Sequence, residues 1–101
     1  MENKSKEISA LLMCLREDIG RDKFDITDHW AGDPFSVGIS KKHTPSVLVY
    51  IRADENTTRY YLALEGPSEN KEYEESGEFN DLTYKEILPI VKGHLCLKSN
   101  A

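Results

Sequence analysis

The residues able to do acid, base or nucleophilic chemistry are scattered along this chain rather than set in a motif. Ser36, Ser40 and Cys14 are candidate nucleophiles with His29 or His43 as base, but none stands in a nucleophile elbow or another local signature. Asp22, Asp25, Asp28, His29 and Asp33 form an acidic cluster. It lacks the alternate-position ligands, central glycine and terminal glutamate of a calcium loop, and an extended backbone aims Asp25 and Asp28 to opposite faces. His94 and Cys96 are two apart, which a helix points in different directions, and no other His–Cys pair completes a zinc site; His94 reads as a helix-end residue interacting with the last carbonyls. The stretch from Gly32 to Gly38 lacks phosphate-loop spacing. The expectation is no catalytic residue, no metal and no cofactor, hence a protein that acts by binding. A small enzyme assembled from distant residues is the chemical alternative, with a pocket around Asp28, His29 or His43.

Two other groups have the chemistry of recognition. Tyr50, Arg52, Arg59 and Tyr61 lie on neighbouring β-type runs. Tyr and Arg concentrate at interface centres because they join a large contact area to a polar end. The second group is acidic. From Glu65 to Glu86 there are eight carboxylates (Glu65, Glu69, Glu72, Glu74, Glu75, Glu78, Asp81, Glu86) against Lys71 and Lys85, a local charge of −6. The rest of the 101 residues is nearly balanced, 11 bases against 10 acids, so the net −5 resides in one segment. Such a field speeds encounter with a basic partner and repels acidic ones, although an acidic face kept for solubility has the same composition. It argues against non-specific nucleic-acid or anionic-membrane binding, which needs clustered Lys and Arg. No run approaches the ~20 apolar residues of a membrane span.

The elements that must position these residues follow from apolar spacing. Ile8, Leu11, Leu12, Leu15 and Ile19 fall on one helical face, with Ser5 as cap and Gly20 past the end. Phe24 and Ile26 alternate with Asp25 and Thr27, the pattern of a short extended segment that could form an edge strand. Strands are expected over Phe35–Ser40, Val47–Arg52, Arg59–Glu65 and, more weakly, Tyr73–Phe79. Lys41–Pro45 and Asp54–Thr57 read as connections, and Gly66-Pro67-Ser68 as a break. Thr83 and Glu86 form a capping box ahead of Ile87, Leu88, Ile90, Val91 and Leu95. Pro89 within that helix predicts a kink or a later start.

One α+β domain, 1–101, follows: a two-layer sandwich in which an antiparallel three- to four-stranded meander carries an N-terminal and a C-terminal helix on one face. The other face is expected to be open to solvent. It would present Leu48, Tyr50 and Arg52 on one strand and Arg59, Tyr61, Ala63 and Glu65 on the next. The last strand would add Glu72, Glu74, Ser76 and Glu78. Cys14 and Cys96 read as reduced core or near-core thiols. Ile8–Leu15 has the length of a signal-peptide core, but Glu2, Glu7 and Arg16-Glu17-Asp18 fit an amphipathic helix better. A cytoplasmic location is therefore expected.

The stretch YEESGEFNDLTYKEILPIVKGHL, Tyr73 to Leu95, runs from a strand through a capped entry into a short amphipathic helix. Together with the leading helix and central meander, it resembles small acidic α+β immunity proteins of bacterial polymorphic-toxin and contact-dependent growth inhibition systems. The resemblance implies a non-enzymatic protein that neutralises a basic toxin domain, often a nuclease, by charge-complementary contact. The expected docking residues are Tyr50, Arg52, Arg59, Tyr61, Glu65, Glu72, Glu74, Glu75, Glu78 and Asp81, with no nucleic acid and no membrane as partner. A second resemblance is to secretion chaperones, which are small, acidic and dimeric. A chaperone or homodimeric scaffold would use the same face for itself, so monomer and homodimer both stay open.

Overall fold

The computed structural model describes residues 4–27, 32–65 and 77–95. In chain order the elements are α1 (Lys6–Ile19), β1 (Phe24–Ile26), β2 (Ser36–Lys41), β3 (Thr44–Arg52), β4 (Tyr60–Glu65), β5 (Glu78–Leu82) and α2 (Tyr84–His94). The strands pair antiparallel in sequence order, so the sheet is a five-stranded meander rather than one of three or four strands. The additional strand is β1, whose Ile26 pairs with Ile39.

The helix starts are set by their caps. Ser5 Oγ accepts from the Ile8 amide at 3.2 Å, while the Ser5 amide donates to the Pro34 carbonyl at 2.8 Å. This ties the start of α1 to the loop ahead of β2. Gly20 ends α1 at φ +122°, and a β-carbon there would stand 2.9 Å from Lys23 Cγ. Only glycine takes that conformation without strain. For α2 the capping box is complete, Thr83 and Glu86 each bonding the other's backbone amide. The helix therefore begins at Tyr84, and Pro89 lies inside it. The proline does not delay the start, because the box and the apolar face of Ile87 and Val91 hold the first turn in place.

Alternation along the strands sorts their side chains as expected. Val37, Ile39, Val49, Ile51 and Leu62 point to the helices and are buried with Ile8, Leu11, Leu12 and Leu15 of α1 and Ile87 and Val91 of α2. The opposite face is less open than its alternation implies. Ser36, Ser40 and Leu48 lie on it, yet Leu48 is only 1% exposed and the two serines are fully buried. Ser40 Oγ and Thr27 Oγ1 are 2.7 Å apart, so a hydroxyl pair between β1 and β2 fills part of this surface. What reaches solvent is the β3–β5 half.

Three further expectations are corrected. The last strand runs to Leu82, through Phe79-Asn80-Asp81-Leu82, which had read as an entry turn. A bulge opposite Tyr60–Leu62 with Asp81 at φ +62° lets the strand continue through turn-forming residues. The earlier part of the expected strand lies mostly outside the described residues. Cys14 is exposed rather than near the core, since it sits off the stripe of Leu11, Leu12 and Leu15; Cys96 lies outside the described residues. His94, expected at the last carbonyls of its own helix, reaches across to the sheet. It is buried, with Nε2 2.6 Å from the Glu65 carbonyl oxygen at the end of β4.

Candidate functional site

The register of β3, β4 and β5 builds the exposed half of the outer face. Tyr50 lies opposite Ala63 and Arg52 opposite Tyr61, while Leu48 pairs with Glu65 and Ala63 with Glu78. Tyr50, Arg52, Tyr61, Glu65 and Glu78 therefore share one surface, as their two-residue spacing requires. The Tyr50 and Tyr61 rings meet edge to face, with centroids 6.1 Å apart and planes at 71°. That is the arrangement aromatic quadrupoles favour.

Polar contacts run across this surface from loop to edge strand. Asp33 Oδ2 accepts from Arg52 Nη1 at 3.2 Å. The neighbouring Tyr50 phenol, then the charges of Asp33 and Asp54, hold the guanidinium more firmly protonated than usual. On the other side of the ring pair, Tyr61 lies diagonally across from Glu78 of β5. Burial first, and then the Glu78 charge, push the Tyr61 phenol above its ordinary pKa.

Arg59 and Asp81 do not join that group. They stand at the end of the sheet, where Arg59 Nη1 donates to the Asp81 carbonyl oxygen at 3.1 Å and lies 3.7 Å from its carboxylate. Together with Arg52, Asp54, Tyr61 and Asn80 they line a shallow cleft of roughly 280 Å³. Neither arginine is idle. Arg52 is committed to Asp33 and Asp54, the latter at 3.4 Å, and Arg59 to Asp81. Sequence reasoning named Asp33 only within an acidic cluster and Asp81 only as a docking residue; their pairing with Arg52 and Arg59 leaves no local pattern. Exposed ion pairs of this type contribute about 0–1 kcal/mol, so both can be exchanged for a partner's charges. Glu72, Glu74 and Glu75 lie outside the described residues.

The residues considered for chemistry are mostly structural where they are described. Asp25 accepts from the His43 amide at 3.0 Å and pairs with Lys42 at 3.4 Å, pinning the β2–β3 turn, in which His43 takes φ +63°. Its pKa is lowered, first by the His43 amide. Asp33 accepts from the Phe35 amide at 2.9 Å and from Ser36 Oγ at 3.0 Å. The Ser36 and Ser40 hydroxyls are thus engaged with Asp33 and Thr27, and both serines are fully buried. Asp28 and His29 lie outside the described residues. A separate depression of about 520 Å³ lies on the helix side between Ala10, Tyr60 and Tyr84. Its Tyr84 hydroxyl is held by Asp18 at 2.6 Å.

Comparison with family models, curated proteins and solved structures gave no significant match to this chain. Among the described residues no helix is long and apolar enough to cross a membrane.

Proposed function

We propose that this chain is a non-enzymatic, cytoplasmic binding protein that occupies and neutralises a basic protein partner, as an immunity protein does for a nuclease-type toxin domain. The observation that carries the reading is the exposed β3–β5 surface. On it an ordered tyrosine pair stands beside Glu65 and Glu78, and the segment that holds the chain's excess charge starts at the end of β4 and includes β5. The carboxylates of Glu65, Glu72, Glu74, Glu75, Glu78 and Asp81 steer the partner, a long-range effect. Tyr50 and Tyr61 supply the contact area, and Arg52 and Arg59 trade their weak internal pairs for contacts at the rim. Charge-assisted hydrogen bonds to partner Lys and Arg then hold the complex.

The test uses the product of the reading frame immediately upstream. Its C-terminal domain is expected to arrest growth when expressed alone and to be harmless when this chain is co-expressed. Reversing Glu72, Glu74, Glu75 and Glu78 to Lys should slow association of the purified pair by about tenfold or more and flatten its salt dependence. An upstream domain that is not toxic, or whose toxicity this chain leaves untouched, overturns the immunity reading. Unchanged association kinetics in the reversed variant overturn the steering mechanism.

A further inference from the structure

The strand register centres a notch on Ala63. Tyr50 stands across from it on β3 and Glu78 across from it on β5. Tyr61 and Glu65 flank it along β4, on the same face. Laterally paired residues have Cβ atoms about 5 Å apart, and same-face residues of one strand lie roughly 7 Å apart. A single methyl group is thus ringed by four long side chains, two of them phenols and two carboxylates. The phenols occupy one corner, where their rings touch edge to face at 6.1 Å. The carboxylates occupy the opposite corner, and both glutamates are exposed while Ala63 is half-buried. Tyr61 stands diagonally across from Glu78, which pairs with Ala63, so ring and carboxylate border the same depression.

Two rings and two carboxylates around a small floor make a receptor for a cation. We infer that this notch takes an arginine side chain of the basic partner, its guanidinium lying against the Tyr50 ring and forking onto Glu78 and Glu65. The inference rests on the reading of this face as a docking surface for a basic protein, and it names the group recognised. Charge complementarity sets the sign, since the ring around Ala63 carries two negative charges and no positive one. The nearest cation on the face, Arg52, is drawn towards Asp33 and Asp54. Planarity selects arginine over lysine. A guanidinium stacks on an aromatic face and reaches carboxylates through a rigid fork of donors, whereas an ammonium is a hydrated point charge. The cleft at Arg59 and Asp81 is not the equivalent site, because the chain's own guanidiniums already line it.

The test is a low-salt NMR titration of the ¹⁵N-labelled full chain with octa-arginine, octa-lysine and octa-glutamate. Octa-arginine should shift the amides of Tyr50, Tyr61, Ala63 and Glu78 and bind several-fold tighter than octa-lysine. Octa-glutamate should not bind. Ala63→Leu fills the notch without altering charge, and should weaken octa-arginine about tenfold while leaving the octa-lysine affinity unchanged. Should that variant fail to fold, Glu78→Gln compared with Glu55→Gln asks the same question. Each removes one exposed charge, but only the first borders the notch, so only the first should erase the arginine preference. Equal octa-arginine affinity in wild type and Ala63→Leu, or shifts centred elsewhere, overturns the notch and leaves the basic-partner reading intact. Failure of wild type to bind either cationic peptide overturns both.

Discussion

Asp33 organises more of the outer face than any other residue considered for chemistry. Its carboxylate accepts from the Phe35 amide, from Ser36 Oγ and from Arg52, so it joins the loop ahead of β2 to the middle of the sheet. Those bonds favour the ionised form, and the Phe35 amide is the main reason its pKa lies below the ordinary aspartate range. A carboxylate whose pKa is depressed on folding contributes stability that is complete above its unfolded pKa, about 4, and is lost as pH falls through the lower folded value. Asp33→Asn should accordingly show a shallower loss of stability below about pH 4 than wild type, measured by urea midpoints across an acid series. An unchanged slope would mean that the native carboxylate is held no better than the unfolded one. Glu7 and Asp25 have the same sign for the same reason, each bonding a turn amide, Asn56 and His43 respectively.

Elements are positioned here by their ends. The β3–β4 turn places Asn56 at φ +60°, and its amide donates to Glu7 Oε2 at 2.8 Å, so the first turn of α1 holds the turn between the two central strands of the site. At the other end of the chain, Thr83 and Glu86 close the first turn of α2. Thr83→Ala removes one half of the capping box and should cost about 1 kcal/mol in chemical unfolding. The loss matters for the site because Thr83 directly follows β5, whose bulge at Asn80–Asp81 sets where Glu78 meets Ala63. Fraying of α2 and loosening of the edge strand are thus expected together. Faster amide exchange in α2 but not in β5 of the variant would contradict that coupling.

At the scale of the whole molecule, one apolar layer supports one working surface. Leu62 is fully buried between the helices and the sheet, on the strand whose alternate residues form the notch. Leu62→Ala should destabilise by about 2–5 kcal/mol through lost burial and a residual cavity, a large part of the total expected for a domain of this size. A urea series that shows less than 1 kcal/mol would mean that α1 and α2 collapse onto the gap. The charge is organised at the same scale. Along the chain the excess acids are confined to Glu65–Glu86, and the sheet brings Glu65 and Glu78 of that segment beside Tyr50 and Tyr61 of β3 and β4.

Local periodicity was enough for the class and order of the elements. Spacings of three and four marked α1, alternation marked β2 to β4, and the Thr83–Glu86 pair marked the start of α2. All of these are short-range signals carried by neighbours in the chain. The same alternation assigned Val37, Ile39, Val49, Ile51 and Leu62 to the core and Tyr50, Arg52 and Tyr61 to the other face. It could not show that Leu48, Ser36 and Ser40 are buried on that outer face, nor that Asp81 sits in a bulge. It was equally silent on Arg52 and Arg59 already holding aspartates. Each of these depends on a pairing between distant residues, and a pairing leaves no trace in either partner's local pattern. The net charge of −5 and its concentration are properties of the sequence alone. That Ala63 stands inside a ring of two tyrosines and two glutamates was decided by the tertiary structure, because strand register is set by the burial of the opposite face.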